Sequence, residues 1–160
     1  MQIPVFDLTT NTWSRKQTHP HVSFSGDLEF PSQRYSHDCA QLGSTIYMVG
    51  GTHVATVYND IWSLELTTLA WQRLPCSLPE GLYFHSVAIS EEGQLSVFGG
   101  VSSVERKVRN NTYLEVWVKV PQLKTLARMA LIAKLGTDKS RVGQFLQKSG
   151  TSVESLQMDF

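Results

Sequence analysis

The sequence predicts an all-β protein of repeated four-stranded antiparallel units, followed by a short α-helical C-terminal tail. Three observations lead there. Two apolar runs end in glycine pairs 49 residues apart, Ile46-Tyr47-Met48-Val49-Gly50-Gly51 and Leu95-Ser96-Val97-Phe98-Gly99-Gly100. Each has a histidine upstream, His37 or His85, and an asparagine-bearing segment downstream, Tyr58-Asn59-Asp60-Ile61-Trp62 or Asn110-Asn111-Thr112-Tyr113. From Pro121 the apolar spacing changes to that of a helix. Self-similarity at a period of about 40–50 residues marks a repeat architecture, and a four-stranded propeller blade has that length.

The strands follow in order. Tyr35 to Leu42 reads as the first strand of one blade, Gly43-Ser44 as a turn, and Thr45 to Gly51 as the second strand. Asp60 to Leu66 sets Ile, Ser and Glu against Trp, Leu and Leu, the alternation of a half-buried strand. Thr67-Thr68 turns, and Ala70 to Leu74 closes the blade. The cycle restarts at Tyr83, with strands over Phe84 to Ser90, Gln94 to Gly100 and Thr112 to Val118. A fourth strand is not expected, because Pro121 opens the helical pattern. Upstream, Val5-Phe6-Asp7-Leu8-Thr9-Thr10-Asn11-Thr12-Trp13 matches Ser63-Leu64-Glu65-Leu66-Thr67-Thr68-Leu69-Ala70-Trp71, so the chain starts in the third strand of an earlier blade. The expected organisation is a blade end over 1–13, a polar loop over 14–32, a full blade over 33–79, a three-stranded blade over 80–120 and a helical tail over 121–160.

These residues resemble the kelch-repeat family. Gly50-Gly51 and Gly99-Gly100 match its double glycine, and Arg34-Tyr35-Ser36-His37 matches the start of its first strand. Tyr47, Trp62 and Trp71 match its inter-blade aromatics. The resemblance implies a partial kelch β-propeller of about two and a half blades. The physical logic agrees: glycine ends a strand where φ is positive or a side chain would collide, and large aromatics fill the gap between blades. Closed propellers have about 4–8 blades. The expectation is therefore a C-terminal piece of a longer protein or a short isoform, with the missing blades or an N-terminal closing strand as its structural partners.

Bulk properties exclude several classes. The 160 residues carry no net formal charge. Residues 1–120 hold eight basic against eleven acidic side chains, and residues 121–160 hold six against three. Neither part has the dense basic face of a nucleic-acid binder. No apolar run reaches the roughly 18 residues of a membrane span. Cys39 and Cys76 lack metal-ligand spacing and fit a reducing compartment, cytosolic or nuclear. His37 and His85 recur at one repeat position, which packing explains better than metal binding. His19 and His21 have no acids at ligand spacing. There is no nucleophile–base motif and no phosphate-binding glycine loop, nor the Tyr/His copper cluster that a galactose-oxidase-type propeller enzyme needs. No catalytic function and no cofactor are expected.

In the tail, Leu123, Leu126, Ala127, Ala130, Leu131 and Leu135 share one face of a helix expected over 122–135. Gly136 suits its C-cap, and Thr137 or Asp138 can cap a second helix carrying Val142, Phe145 and Leu146. One reading packs the first helix on the propeller rim. The other docks it in a partner's groove. Leu123-x-x-x-Ala127-x-x-x-Leu131 resembles the BC-box helix, which binds elongin B/C in cullin ubiquitin ligases. With the blades, it resembles the kelch-type substrate receptors of elongin–cullin-2 ligases. That implies a non-catalytic receptor whose tail binds elongin B/C and, through it, a cullin. Its blades would read protein substrates through their C-termini, often ending in glycine. Ala127 stands where the box usually has cysteine, and Val142 to Phe160 lacks a cullin-box proline, which leaves the cullin open. On this reading Arg34, Tyr35, Ser36, Tyr83, Phe84 and His85, in loops before first strands, line a carboxylate pocket. A kelch interaction scaffold without a ligase is the competing expectation.

Overall fold

The computed structural model describes residues 1–105, 107 and 109–135. The second helix expected after Thr137 lies outside them. The chain divides into two units, Met1–Val120 and Pro121–Phe160.

The first unit is three consecutive antiparallel sheets with short insertions. Strands β1 (Gln2–Asp7) and β2 (Thr12–Gln17) form a hairpin in which Phe6 pairs with Trp13. The stretch expected as a loop over 14–32 is partly ordered into strands. It holds the end of β2 and a small hairpin of β3 (His21–Val22) and β4 (Leu28–Glu29). The central sheet combines β5 (Asp38–Leu42) and β6 (Thr45–Val49) with two later strands. After a minor hairpin of β7 (Thr52–His53) and β8 (Thr56–Val57), β9 (Asp60–Glu65) and β10 (Ala70–Ser77) complete it in the order β10-β9-β6-β5. The next sheet, β11 (Tyr83–Ile89), β12 (Gln94–Val101) and β13 (Tyr113–Trp117), has three strands in sequence order. This is the partial propeller that the repeat spacing predicts.

The strand expected to be half-buried is buried on both faces. In β9, Ile61 is 0 % and Trp62 3 % exposed, although consecutive residues point to opposite sides. The cause is a neighbouring sheet on each side. Tyr47, Val49 and Ile61 pack with Leu82, Leu95 and Val97 of the three-stranded blade. Met48, Trp62, Leu64 and Trp71 pack with Ile3 and Phe30. Full burial of a side chain of this size stabilises by roughly 2 kcal/mol or more.

The glycine pairs are there for space as well as for φ. Gly51 and Gly100 have φ of 98° and 94°. A Cβ on Gly51 would lie 2.9 Å from His37 Cβ and 3.1 Å from the Tyr35 carbonyl oxygen. On Gly100 it would lie 2.9 Å from His85 Cβ and 3.0 Å from the Tyr83 carbonyl oxygen. The recurrent upstream histidine and the second glycine are thus two halves of one contact. The second unit holds α1 (Leu123–Leu135), with Lys134 in its last turn.

Candidate functional site

Backbone hydrogen bonds gather the loops before the first strands at one end of the blades. Tyr35 and Thr52 exchange two bonds of 2.9 Å, Gly51 N–H donates to the Leu82 carbonyl at 2.8 Å, and Phe84 N–H donates to the Ser36 carbonyl at 3.0 Å. The side chain of Asp38 also bridges two blades, accepting the Val87 N–H at 2.7 Å. Residues 34–36 and 83–85 therefore lie at the same end, as the repeat alignment requires.

Their side chains do not share one fate. Tyr35 and Phe84 are exposed. Ser36 and Phe84, at equivalent repeat positions, both adopt left-handed φ, 54° and 55°, a conformation uncommon outside glycine. Tyr83 is buried, with its ring 5.2 Å from that of Phe84. His85 is buried, and neither ring nitrogen has a hydrogen-bond partner among the described residues. Burial, the main cause, pushes its pKa down, so the neutral imidazole is favoured. Burial and then the Arg34 charge lower His37 in the same direction.

Arg34 departs from the expectation that it offers a free guanidinium. Its side chain is 2 % exposed. Nη1 donates to Asp60 Oδ1 and to the Gly50 carbonyl (3.0 Å), Nη2 to Asp60 Oδ2 (3.1 Å), and Nε to the Ser32 carbonyl (3.0 Å). The guanidinium carbon also sits 4.0 Å from the centroid of the Tyr58 ring. Asp60 accepts a further bond from Trp62 Nε1 at 2.7 Å. Burial opposes the Asp60 charge, but the bonds from Arg34 and Trp62 outweigh it and hold the carboxyl below its usual pKa. A guanidinium with its fork filled this way is a structural key and does not receive a substrate carboxylate. The repeat alignment contains a signal for the pairing: Leu82 stands where Arg34 does and Thr112 where Asp60 does, so both partners change together.

Sequence reasoning also missed a cleft at this end of the central blade. Two concavities, 480 and 460 Å³, share Glu29, Asp60 and Arg73 in their walls. No group of three or more His, Cys, Asp or Glu among the described residues could hold a metal ion. No described helix is long and apolar enough to cross a membrane. In α1, Leu123, Ala127 and Leu131 fall at i, i+4 and i+8, which places them on one face.

Blades of repeated glycine pairs with aromatics between them define a kelch-type propeller segment, and the comparison with known proteins agrees. The KLHDC2/KLHL20/DRC7 Kelch-repeats domain matches residues 2–126, so the chain belongs to the kelch-repeat family. It is similar to Kelch domain-containing protein 10 of Rattus norvegicus, 33 % identical over 132 residues, which is 82 % of this chain and 31 % of the relative. The Kelch domain-containing protein 10 homolog of Drosophila melanogaster is 33 % identical over 135 residues, 76 % of this chain and 22 % of the relative. Kelch domain-containing protein 1 of Mus musculus is 31 % identical over 104 residues, 63 % and 24 %. The chain spans less than a third of the length of these relatives.

Proposed function

We propose that this chain is part of a non-catalytic substrate-recognition subunit of a cullin-RING ubiquitin ligase, cullin-2 being the expected cullin. Its blades bind protein substrates and α1 binds elongin B/C. The observation that carries the reading is the face of α1: Leu123, Ala127 and Leu131 sit at the spacing of a BC-box helix, directly after a kelch array. Further blades would complete the propeller. Supporting this, Phe6 and Trp13 on one outer face and Phe98 and Tyr113 on the other are exposed, although equivalent positions in the central blade are covered. On the loop end, the exposed Tyr35 and Phe84 suit a protein substrate, including one read by its C-terminus. Two free thiols, Cys39 with its pKa pushed up to about 11 by burial first, fit a cytoplasmic or nuclear protein. The second reading is a kelch scaffold without a ligase, which the same exposed aromatics favour equally.

Elongin B/C capture separates the two. The wild-type chain is expected to capture it, and Leu123→Arg to abolish capture, because a charge forced into an apolar groove costs several kcal/mol. No capture by the wild type removes the ligase reading and leaves the scaffold. For the substrate, a peptide with a free C-terminal glycine is expected to bind more tightly than its amidated form. Equal binding removes terminal carboxylate recognition.

A further inference from the structure

We infer that the cleft around Arg73 binds an internal acidic side chain of an extended peptide from a protein partner. The inference rests on the blades being a protein-binding surface, not on recruitment by α1. Arg73 lies in β10 opposite Trp62, on the face of the central blade that packs with Ile3 and Phe30. Trp62 and Trp71 on that face are covered, whereas the Arg73 side chain is 53 % exposed. There Leu28, Glu29, Phe30 and Ser32 line a cavity beside it.

The guanidinium is only loosely engaged. Its contact is with Glu29, at 4.0 Å, beyond hydrogen-bonding distance. None of its donors makes a hydrogen bond among the described residues. Asp60 makes its hydrogen bonds to Arg34 and Trp62 and none to Arg73, and Arg73 acts on it only through its charge. A planar fork of donors matches a carboxylate bidentately. The flanking carboxylates of Glu29 and Asp60 disfavour a dianion such as a phosphate. Because the two concavities share Arg73 and are otherwise lined by different residues, a chain has room to run past the guanidinium from one into the other. That shape fits an internal aspartate or glutamate, whereas a terminal carboxylate suits a closed end. The walls add apolar subsites, Phe24 and Leu74 on one side and Leu28 and Phe30 on the other.

The probe is an acetylated, amidated heptapeptide with one central glutamate flanked by valine and leucine, compared with its glutamine version by fluorescence anisotropy on the full chain. The glutamate peptide is expected to bind about tenfold or more tightly, the effect of a charge-assisted hydrogen bond. Arg73→Gln is expected to erase that preference. Glu29→Gln, by removing the competing carboxylate, is expected to tighten the glutamate peptide. The glutamine peptide with a free C-terminus is expected to bind no better than its amidated form. The inference is overturned by no binding of the glutamate peptide, by equal binding of the pair, by a preference that survives Arg73→Gln, by unchanged affinity in Glu29→Gln, or by recovery of affinity through the free C-terminus. The peptide pair and Glu29→Gln read the site even if Arg73→Gln fails to fold. Elongin B/C capture measured in parallel reads α1 alone, so loss of peptide binding with capture retained overturns this inference and leaves the ligase reading standing.

Discussion

The central and the three-stranded blades meet the same structural demand with opposite chemistry. Where the central blade has Arg34, Asp60 and Trp62, the next has Leu82, Thr112 and Leu114. In the first, a buried ion pair ties the segment before β5 to the ends of β6 and β9. In the second, Leu82 is 1 % exposed, and its carbonyl accepts the Gly51 N–H. The backbone geometry is common to both, so the ion pair is not what builds the blade. A buried pair repays its desolvation only when further hydrogen bonds satisfy its groups, and four of the five Arg34 N–H donors are engaged. The comparison teaches that a conspicuous arginine near a binding end can be spent entirely on the scaffold.

Breaking that pair is expected to have the largest effect. Asp60→Ala leaves Arg34 charged and buried without its partner and should cost about 3–5 kcal/mol in urea unfolding. The double change Arg34→Leu with Asp60→Thr installs the neighbouring blade's solution. It should recover more than half of that loss, the remainder coming from Trp62 Nε1 left without its acceptor. If the double variant is no more stable than Asp60→Ala, the two blades are not interchangeable at this position.

A second comparison sharpens the first. Trp13 and Trp71 hold equivalent repeat positions, yet Trp71 is 8 % exposed and Trp13 72 %. Trp71 packs with Met48, Trp62 and Leu64, while Trp13 touches Phe6 at 5.0 Å between ring centroids. Trp71→Ala should destabilise the chain by about 3 kcal/mol, and Trp13→Ala by less than about 0.5 kcal/mol. Equal losses would mean that the outer face of β1 and β2 is covered in solution.

The smallest expected effect is a pH dependence. His85 is buried next to the aligned His37 and to Asp38, and its folded pKa is lowered, mainly by burial. The unfolded chain therefore binds a proton first. The stabilisation from neutral His85 is present above the ordinary histidine pKa of about 6.5 and is lost as pH falls below it. His37, lowered as well, adds in the same sense. Unfolding midpoints should drop between pH 7.5 and 5.5, and His85→Leu should flatten that slope. An unchanged slope would place the titration elsewhere.

Much of the fold was legible because repeats register against each other. The glycine pairs, the aligned histidines and the Trp spacing located the blades, and the alternation located the strands to within a few residues. The site was less legible. Nothing local to Arg34 says that its carboxylate partner is Asp60, 26 residues on, since that pairing depends on how the β6–β9 connection returns. The Arg73 cleft was invisible for the same reason: its walls come from the segment between residues 21 and 32, from Tyr58 and Asn59, and from β9 and β10, which only the packed sheets bring together.

The sequence by itself determined the unit that recurs, its four-strand order and the change to a helix after Pro121, because these follow from period, turn chemistry and the space that glycine leaves. Only the tertiary structure decided which equivalent side chains are buried. Trp71 and Trp13 carry the same repeat position, but burial belongs to the neighbouring sheet, and sequence alignment does not say on which side a neighbour stands. It also decided which arginine is engaged, because a hydrogen-bonded fork depends on angles and distances set by three separate loops.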